Sequence, residues 1–385
     1  MAFQDILEFR SPTRLLHGPG ALSRLPELLP SGTRILLVTD EGLREAGVID
    51  MVAAVLDEAE VDHTVFSGVL PNPPASCVEE GARIFSEQEC GALLGVGGGS
   101  PMDVAKMIGV LASHGGRIEE YLMAPGKITR DIPPLVCVPT TYGTGSEVTP
   151  FAVLTNPASR NKDPVVSWRI APRAGVLDAA LCTALPAAVG GPTGMDALTH
   201  AIESYTNLMA SPASDGMALE AMRLIGENLR LACANDYETE ATQNMLLASA
   251  MAGIAFSQTR LGNVHAMSHP VGAQFGVHHG LANAVLLPYV MEFNLPSRTA
   301  RFADVAGALG GDTDGLGDQE AARLAVKLVR QLNEDLGIPE KLGTLGVEES
   351  GIEDLAEAAM QSANIGVNPR KTARRDVEEI FRQAV

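Results

Sequence analysis

"ALLGVGGGSPMDVAK", residues Ala92 to Lys106, runs from a short apolar segment through three consecutive glycines into a segment of helical character. An apolar run of this length, closed by glycine, reads as a buried strand. Ser100 suits a helix N-cap and Pro101 the first helical position, where a missing N–H costs nothing. Asp103, three residues after Ser100, would complete a capping box. Glycine lets the backbone approach a ligand closely, and a helix start offers free N–H groups to an anion such as a pyrophosphate. The stretch is not G-x-G-x-x-G, and many glycine-rich strand–helix turns only reverse the chain, so both readings stay open here.

The same alternation recurs on either side. "RILLVTD" (Arg34–Asp40), "HTVFSGV" (His63–Val69) and "PPLVCVPTT" (Pro133–Thr141) have strand character, and "VIDMVAAVLDEAE" and "CVEEGARIFSEQE" between them have apolar residues at helical spacing. Strand, helix, strand, helix predicts a Rossmann-like parallel sheet with helices on both faces. The pattern changes at "LPAAVGGPTG" (Leu185–Gly194), whose Gly-Gly-Pro cluster reads as a junction. Beyond it come long helical segments such as "SDGMALEAMRLIGENLRLACAN" and "TQNMLLASAMAGIAFSQT". The expected division is an α/β domain over 1–187 and an all-helical domain over 188–385. The charged helical tail beyond Gly310 carries no functional signal.

Bulk properties exclude several classes. A chain of 385 residues with 46% hydrophobic residues is a globular protein of two or three domains. Its net charge of −19 repels phosphate backbones and anionic membrane surfaces. Five cysteines without a C-x-x-C pair give neither a disulfide framework nor a thiolate zinc site. The N-terminal segment has no uninterrupted apolar core of a signal peptide, so the expected location is the cytoplasm.

Asp40 ends a strand, where a carboxylate accepts hydrogen bonds from a ribose and repels a 2′-phosphate; capping the next turn is the competing reading. "PTTYGTGSEVT" (Pro139–Thr149) places hydroxyls and glycines just past a strand end, where open α/β sheets bind ligands, although such loops also serve as plain turns. In "GMDALTHAIE" (Gly194–Glu203), Asp196 and His200 share one helix face. Four of the eight histidines fall in "HAMSHPVGAQFGVHH" (His265–His279). A carboxylate with imidazoles and no thiolate suits Fe(II), Zn(II), Mn(II) or Co(II). Spacing alone does not choose among these histidines.

Together, "GGGSPMDVAK", "PTTYGTGSEVT", "DALTHAIE" and "HAMSHPVGAQFGVHHGLANAVLLPYVMEFN" resemble the iron-containing (group III) alcohol dehydrogenases, a family that includes lactaldehyde reductases and propanediol dehydrogenases. The opening "FRSPTRLLHGPGALSRL" resembles the family's first strand pair. The resemblance implies a dehydroquinate synthase-like fold, Fe(II) with Zn(II) as the alternative, NAD, a small primary alcohol or aldehyde as substrate, and a homodimer or larger homo-oligomer. It places the metal ligands on Asp196, His200, His265 and His279. His269 falls beside the nicotinamide, where it would relay a proton or merely pack, and His278 falls on bystander surface. Asp40 matches the ribose-binding acid. Asn72, Gly98, Gly99, Ser100 and Asp103 match the adenosine and diphosphate region, and Thr140, Thr141, Thr149, Phe151, Lys162 and Leu181 match further dinucleotide contacts. Hydride would pass between alcohol carbon and nicotinamide in a cleft between the two domains. Zinc-dependent glycerol dehydrogenases, dehydroquinate synthase-type lyases and maleylacetate reductases are alternatives within the superfamily. A metal-dependent hydrolase would need neither Asp40 nor the glycine loop, and a non-catalytic dinucleotide sensor would need no metal ligands.

Overall fold

Near-continuous apolar runs, whose successive side chains point to opposite faces, build a sheet buried on both faces. The computed structural model describes residues 7–122, 124–155, 162–182, 185–234 and 239–385. The strands are β1 (Arg14–His17), β2 (Arg34–Val38), β3 (His63–Phe66), β4 (Cys90–Gly97), β5 (Leu135–Pro139), β6 (Phe151–Thr155), β7 (Lys162–Val166) and β8 (Ala174–Leu177). Six of them form one sheet in the order β1-β8-β5-β4-β2-β3, every pairing parallel, while β6 and β7 form an antiparallel hairpin. Among them run α1 (Glu41–Glu45), α2 (Val48–Glu58), α3 (Ala75–Glu87), α4 (Gly99–His114) and α5 (Glu119–Leu122).

Alternate residues of β2 and β4 feed two separate cores. Leu36, Val38 and Leu93 join Val78, Phe85 and Ile108 of α3 and α4. Ile35, Leu37, Leu94 and Val96 join Ile49, Val52 and Leu56 of α2. Burial on both faces is what an all-parallel sheet requires. From β2 the chain moves outward to β3, and from β4 it moves the opposite way to β5. The carboxyl ends of β2 and β4 therefore flank a topological switch point, the place where open α/β sheets form a ligand crevice.

From Ala187 onward the described residues contain no strand. They form α6 (Ala187–Thr206), α7 (Pro212–Ala234), α8 (Thr239–Thr259), α9 (Asn263–Phe275), α10 (His279–Asn294), α11 (Thr299–Ala308), α12 (Asp318–Asp335), α13 (Ile352–Met360) and α14 (Arg374–Ala384). Among the described residues, packing gathers into two compact units, Pro12–Pro186 with Asp236–Ala250, and Met1–Ser11 with Ala187–Asn235 and Met251–Val385. No helix among the described residues is long and apolar enough to cross a membrane.

Three local expectations change. The Gly-Gly-Pro cluster lies inside α6. Its helix is sustained by packing: a Cβ on Gly280 of α10 would fall 2.4 Å from the Pro192 carbonyl oxygen, so the two backbones meet without an intervening side chain. Helix α4 starts one residue before Ser100, with Gly98 as N-cap and no side-chain cap. Asp103 turns instead toward Ser146 and the Val153 amide, so no capping box forms. The opening segment supplies one strand, β1, followed by a 3-10 turn over Ala21–Leu28 rather than a strand pair.

Candidate active site

The D-x3-H-x2-E spacing of α6 puts Asp196, His200 and Glu203 along one buried stripe. Helix α9 brings His265 to that stripe, and the first residue of α10 is His279. Asp196 Oδ1 lies 3.8 Å from His200 Nε2, 3.7 Å from His265 Nε2 and 3.7 Å from His279 Nε2. Asp196, His265 and His279 offer ligand atoms all within 4.8 Å of one another. His200 flanks this triplet, its ring stacked on His265 at 4.7 Å and against Phe256 at 4.5 Å.

These donors fit a divalent cation. Oxygen and nitrogen atoms 3.7 Å apart can both reach one ion at about 2.1 Å. Asn283 Nδ2 already faces three acceptors, Asp196 Oδ1 at 2.6 Å and the Nε2 atoms of His265 and His279 at 3.1 Å each. An amide has two hydrogens for these three acceptors, and its own Oδ1 is buried without a partner. Charge points the same way. Asp196 and Glu203 are both buried, and buried carboxylates need positive charge nearby. Burial pushes the Asp196 carboxyl up, but His200, His279 and His265 outweigh it and hold it well below the ordinary range. Burial pulls His265 down, yet Asp196 and Glu203 together raise it to about 9.

Glu203 was not legible as functional from residue type alone, although its i+7 spacing from Asp196 was a usable signal. Its Oε2 takes a 2.6 Å hydrogen bond from His265 Nδ1, and its Oε1 takes one of 2.6 Å from the Val264 amide. A proton held on Nδ1 leaves Nε2 free as a ligand. His269 is half-buried, with its ring edge-on to His265 at 6.0 Å and tilted against His279 at 5.3 Å. His278 is exposed and stands at the N-cap of α10.

The dinucleotide candidates lie on the sheet unit. Asp40 follows β2 and caps α1, its Oδ1 accepting the Leu43 amide at 3.0 Å. Gly98, Gly99 and Ser100 follow β4, opposite it across the switch point. Gly97 has φ +145°, and a Cβ there would fall 2.7 Å from Pro101, so only glycine makes this turn without displacing the helix start. Thr140 and Thr141 follow β5, with the Thr140 amide donating to the Gly97 carbonyl. Asn72, with φ 52°, is exposed in the segment between β3 and α3.

Other candidates are buried behind these loops. Lys106 Nζ donates to Ser146 Oγ at 2.7 Å, the Phe151 carbonyl at 2.6 Å and Thr149 Oγ1 at 3.4 Å. Asp103 Oδ1 accepts Ser146 Oγ at 2.7 Å and lies 3.7 Å from Lys106 Nζ. Asp103, Thr149 and the Phe151 carbonyl thus tie the hydroxyl-rich loop to α4. Leu181 is buried in the core beneath the sheet. Lys162 lies on β7, and its side chain is outside the described residues.

Two family models match. Iron-containing alcohol dehydrogenase covers residues 12–179, and the C-terminal part of the Fe-containing alcohol dehydrogenase family covers residues 192–385. The chain is 43% identical over 383 residues to the 1,3-propanediol dehydrogenase of Citrobacter freundii, spanning 98% of this chain and 99% of that protein. It is 38% identical over 379 residues to the NAD-dependent methanol dehydrogenase of Bacillus methanolicus, again spanning 98% and 99%. A crystal structure of a 1,3-propanediol oxidoreductase matches with a TM-score of 0.96 at 41% identity, covering 99% of this chain and 100% of that one.

Proposed function

The chain belongs to the iron-containing alcohol dehydrogenase family, and from that premise we propose that it interconverts a small primary alcohol or diol and its aldehyde. It is an oxidoreductase that uses iron and NAD. The observation that carries the reading at residue level is the convergence of Asp196, His265 and His279 on one point, with His200 beside them. A divalent ion held there supplies Lewis acidity, lowering the pKa of an alcohol hydroxyl and polarising a carbonyl in the reverse direction.

The chain's own residues do the rest. Asp196, His200, His265 and His279 hold the ion. Glu203 keeps the His265 proton on Nδ1. His269, its ring beside two of the ligands, carries the hydroxyl proton away as a general base. Asp40 accepts the adenosine ribose, and Gly98, Gly99 and Ser100 offer backbone N–H groups to the diphosphate. Asn72, Thr140, Thr141 and the loop braced by Asp103 and Lys106 complete the dinucleotide seat, with Thr149 and the Phe151 carbonyl holding that loop from behind.

The small-substrate reading is supported by the propanediol and methanol dehydrogenases among the relatives. A cytoplasmic enzyme is supported by five cysteines free of disulfides, four of them buried. A homodimer or larger homo-oligomer is part of the same reading, and light scattering of the purified protein would test it.

The deciding experiment is anaerobic purification, removal of metal, and reconstitution with Fe(II) or Zn(II). NADH formation is then followed with NAD and a panel of short alcohols and diols. Iron-dependent NADH formation supports the reading. Activity with zinc alone changes the metal and keeps the chemistry. Tight metal and NAD binding without NADH from any alcohol would overturn the dehydrogenase assignment and favour a lyase-type reaction without net hydride transfer.

A further inference from the structure

We propose that Glu203 and Asn368 act as positioning residues that set the metal affinity of the site, and that the C-terminal segment takes part in the active centre by this route. The inference rests on the metal-site reading above and extends it to residues that hold no metal.

The first turn of α9 carries His265 two residues from its start. Four backbone N–H groups at any helix start lack internal partners. Here Gly262, the N-cap residue, supplies no side chain to satisfy them. Two distant side chains satisfy two of them. Glu203, from α6, takes the Val264 amide on one oxygen and His265 Nδ1 on the other, both at 2.6 Å. One carboxylate thus fixes the backbone and the ring of the same ligand. Asn368 takes the neighbouring Asn263 amide on Oδ1 at 3.3 Å. Asn263 in turn donates through Nδ2 to Thr372 Oγ1 at 2.9 Å.

Asn368 also reaches the helix that carries His279. Its Nδ2 donates to Asn294 Oδ1 at 2.8 Å, and Asn294 Nδ2 donates back to Asn368 Oδ1 at 3.1 Å. Asn294 is the last residue of α10. The reciprocal amide pair therefore ties the start of α9, which carries His265, to the far end of the helix that begins with His279. All of these side chains are buried, where a hydrogen bond is strong and an unmade one is costly. The space is closed as well: a Cβ on Gly262 would meet Glu203 Oε1 at 2.9 Å and Asn368 Oδ1 at 3.1 Å. Both residues press on the N-cap glycine.

The test is competition for Zn(II) between the full-length protein and a chromophoric chelator, at a temperature well below unfolding. The metal-stripped melting temperature of each variant is measured alongside. Glu203→Gln keeps the shape but has one acceptor oxygen for two donors, so affinity should fall about 10- to 100-fold, the range for partners behind metal-ligating histidines. Asn368→Ala should lower it about 3- to 10-fold by freeing both helix ends. Cobalt(II)-loaded protein should show a shifted visible spectrum in each variant. A purely packing role would lower the melting temperature and leave affinity and spectrum unchanged, and that result overturns the proposal. His265→Ala is the control. If it loses zinc while both positioning variants keep wild-type affinity, the inference fails and the metal reading stands. If it keeps zinc, both fail. Should Glu203→Gln not fold, the Asn368→Ala result alone decides the role of the C-terminal segment.

Discussion

Both units of this enzyme bury charge, and they do so in opposite ways. In the sheet unit, Lys106 is fully buried and answered from within the chain: three acceptors take its ammonium, and Asp103 stands 3.7 Å away. Desolvation drives Asp103 up and Lys106 down, each partly offset by the other's charge. In the helical unit, two carboxylates are buried beside imidazoles whose Nε2 atoms converge on Asp196, and one amide nitrogen faces Asp196 Oδ1 and two of these Nε2 atoms. The first cluster balances itself and so can only hold a loop in place. The second is an acceptor set, and a cation is what balances it. The difference separates a brace from a binding site where residue type alone does not, since both clusters consist of buried polar groups.

That contrast can be broken at either end. The largest effect is expected for His265→Ala or His279→Ala, which should cut metal affinity and turnover by more than about 100-fold, beyond what outer partners contribute. Metal analysis and NADH formation would check it, with circular dichroism confirming the fold. Retained metal and rate would show that the helical cluster is another brace. Lys106→Met should leave metal content unchanged but cost about 3–5 kcal/mol, because Asp103 then lies buried without its counter-charge. Denaturant unfolding measures that cost, and pairing the change with Asp103→Asn should recover part of it.

A third test uses pH. Burial pushes Glu147 up to about 7, with Lys106 drawing it only partly back. Its Oε2 is buried without a partner. The folded protein keeps this proton up to about pH 7, while the unfolded chain releases it near 4.5. The folded state therefore binds more protons in that window, and stability falls as pH rises through it. Glu147→Gln should gain stability over the parent between about pH 5 and pH 8, by on the order of 2–3 kcal/mol. A gain that does not change with pH would remove titration as the cause. The smallest effect concerns Asp40→Gly. Loss of its cap on α1 costs only a few tenths of a kcal/mol. The preference for NAD over NADP should fall about tenfold, one lost charge-assisted contact. An unchanged cofactor ratio would leave Asp40 as a cap alone.

Much of this was legible in the sequence. The runs that became β2, β3, β4 and β5 were readable because burial on both faces selects continuous apolar segments. The strand β8, "AGVL", is too short and small to stand out, and the hairpin β6–β7 contains Pro164, which argues against a strand in sequence. The start of α6 was misread because glycine and proline mark breaks locally. There the close approach of α10 over Pro192 overrides propensity, and Thr193 Oγ1 bonds back to the Val189 carbonyl. At the site, Asp196 and His200 announced themselves by spacing. Spacing did not separate His278 from His279; the family resemblance did, and α10 begins between them, leaving His278 exposed and His279 partly buried. Asn283 and Asn368 left no trace, since neutral amides acquire meaning only from what the fold sets beside them.

The proposed metal ligands come from three helices, α6, α9 and α10, that the chain must first bring together. An ion that binds only their assembled form is thermodynamically linked to folding. Free metal at about 100 times its dissociation constant would deepen the stability of this unit by about 2.7 kcal/mol, and a chelator would withdraw it. The melting temperature of the helical unit thus becomes a gauge of metal supply. A cell short of iron would hold an enzyme that is both idle and easier to unfold, and so more open to proteolysis.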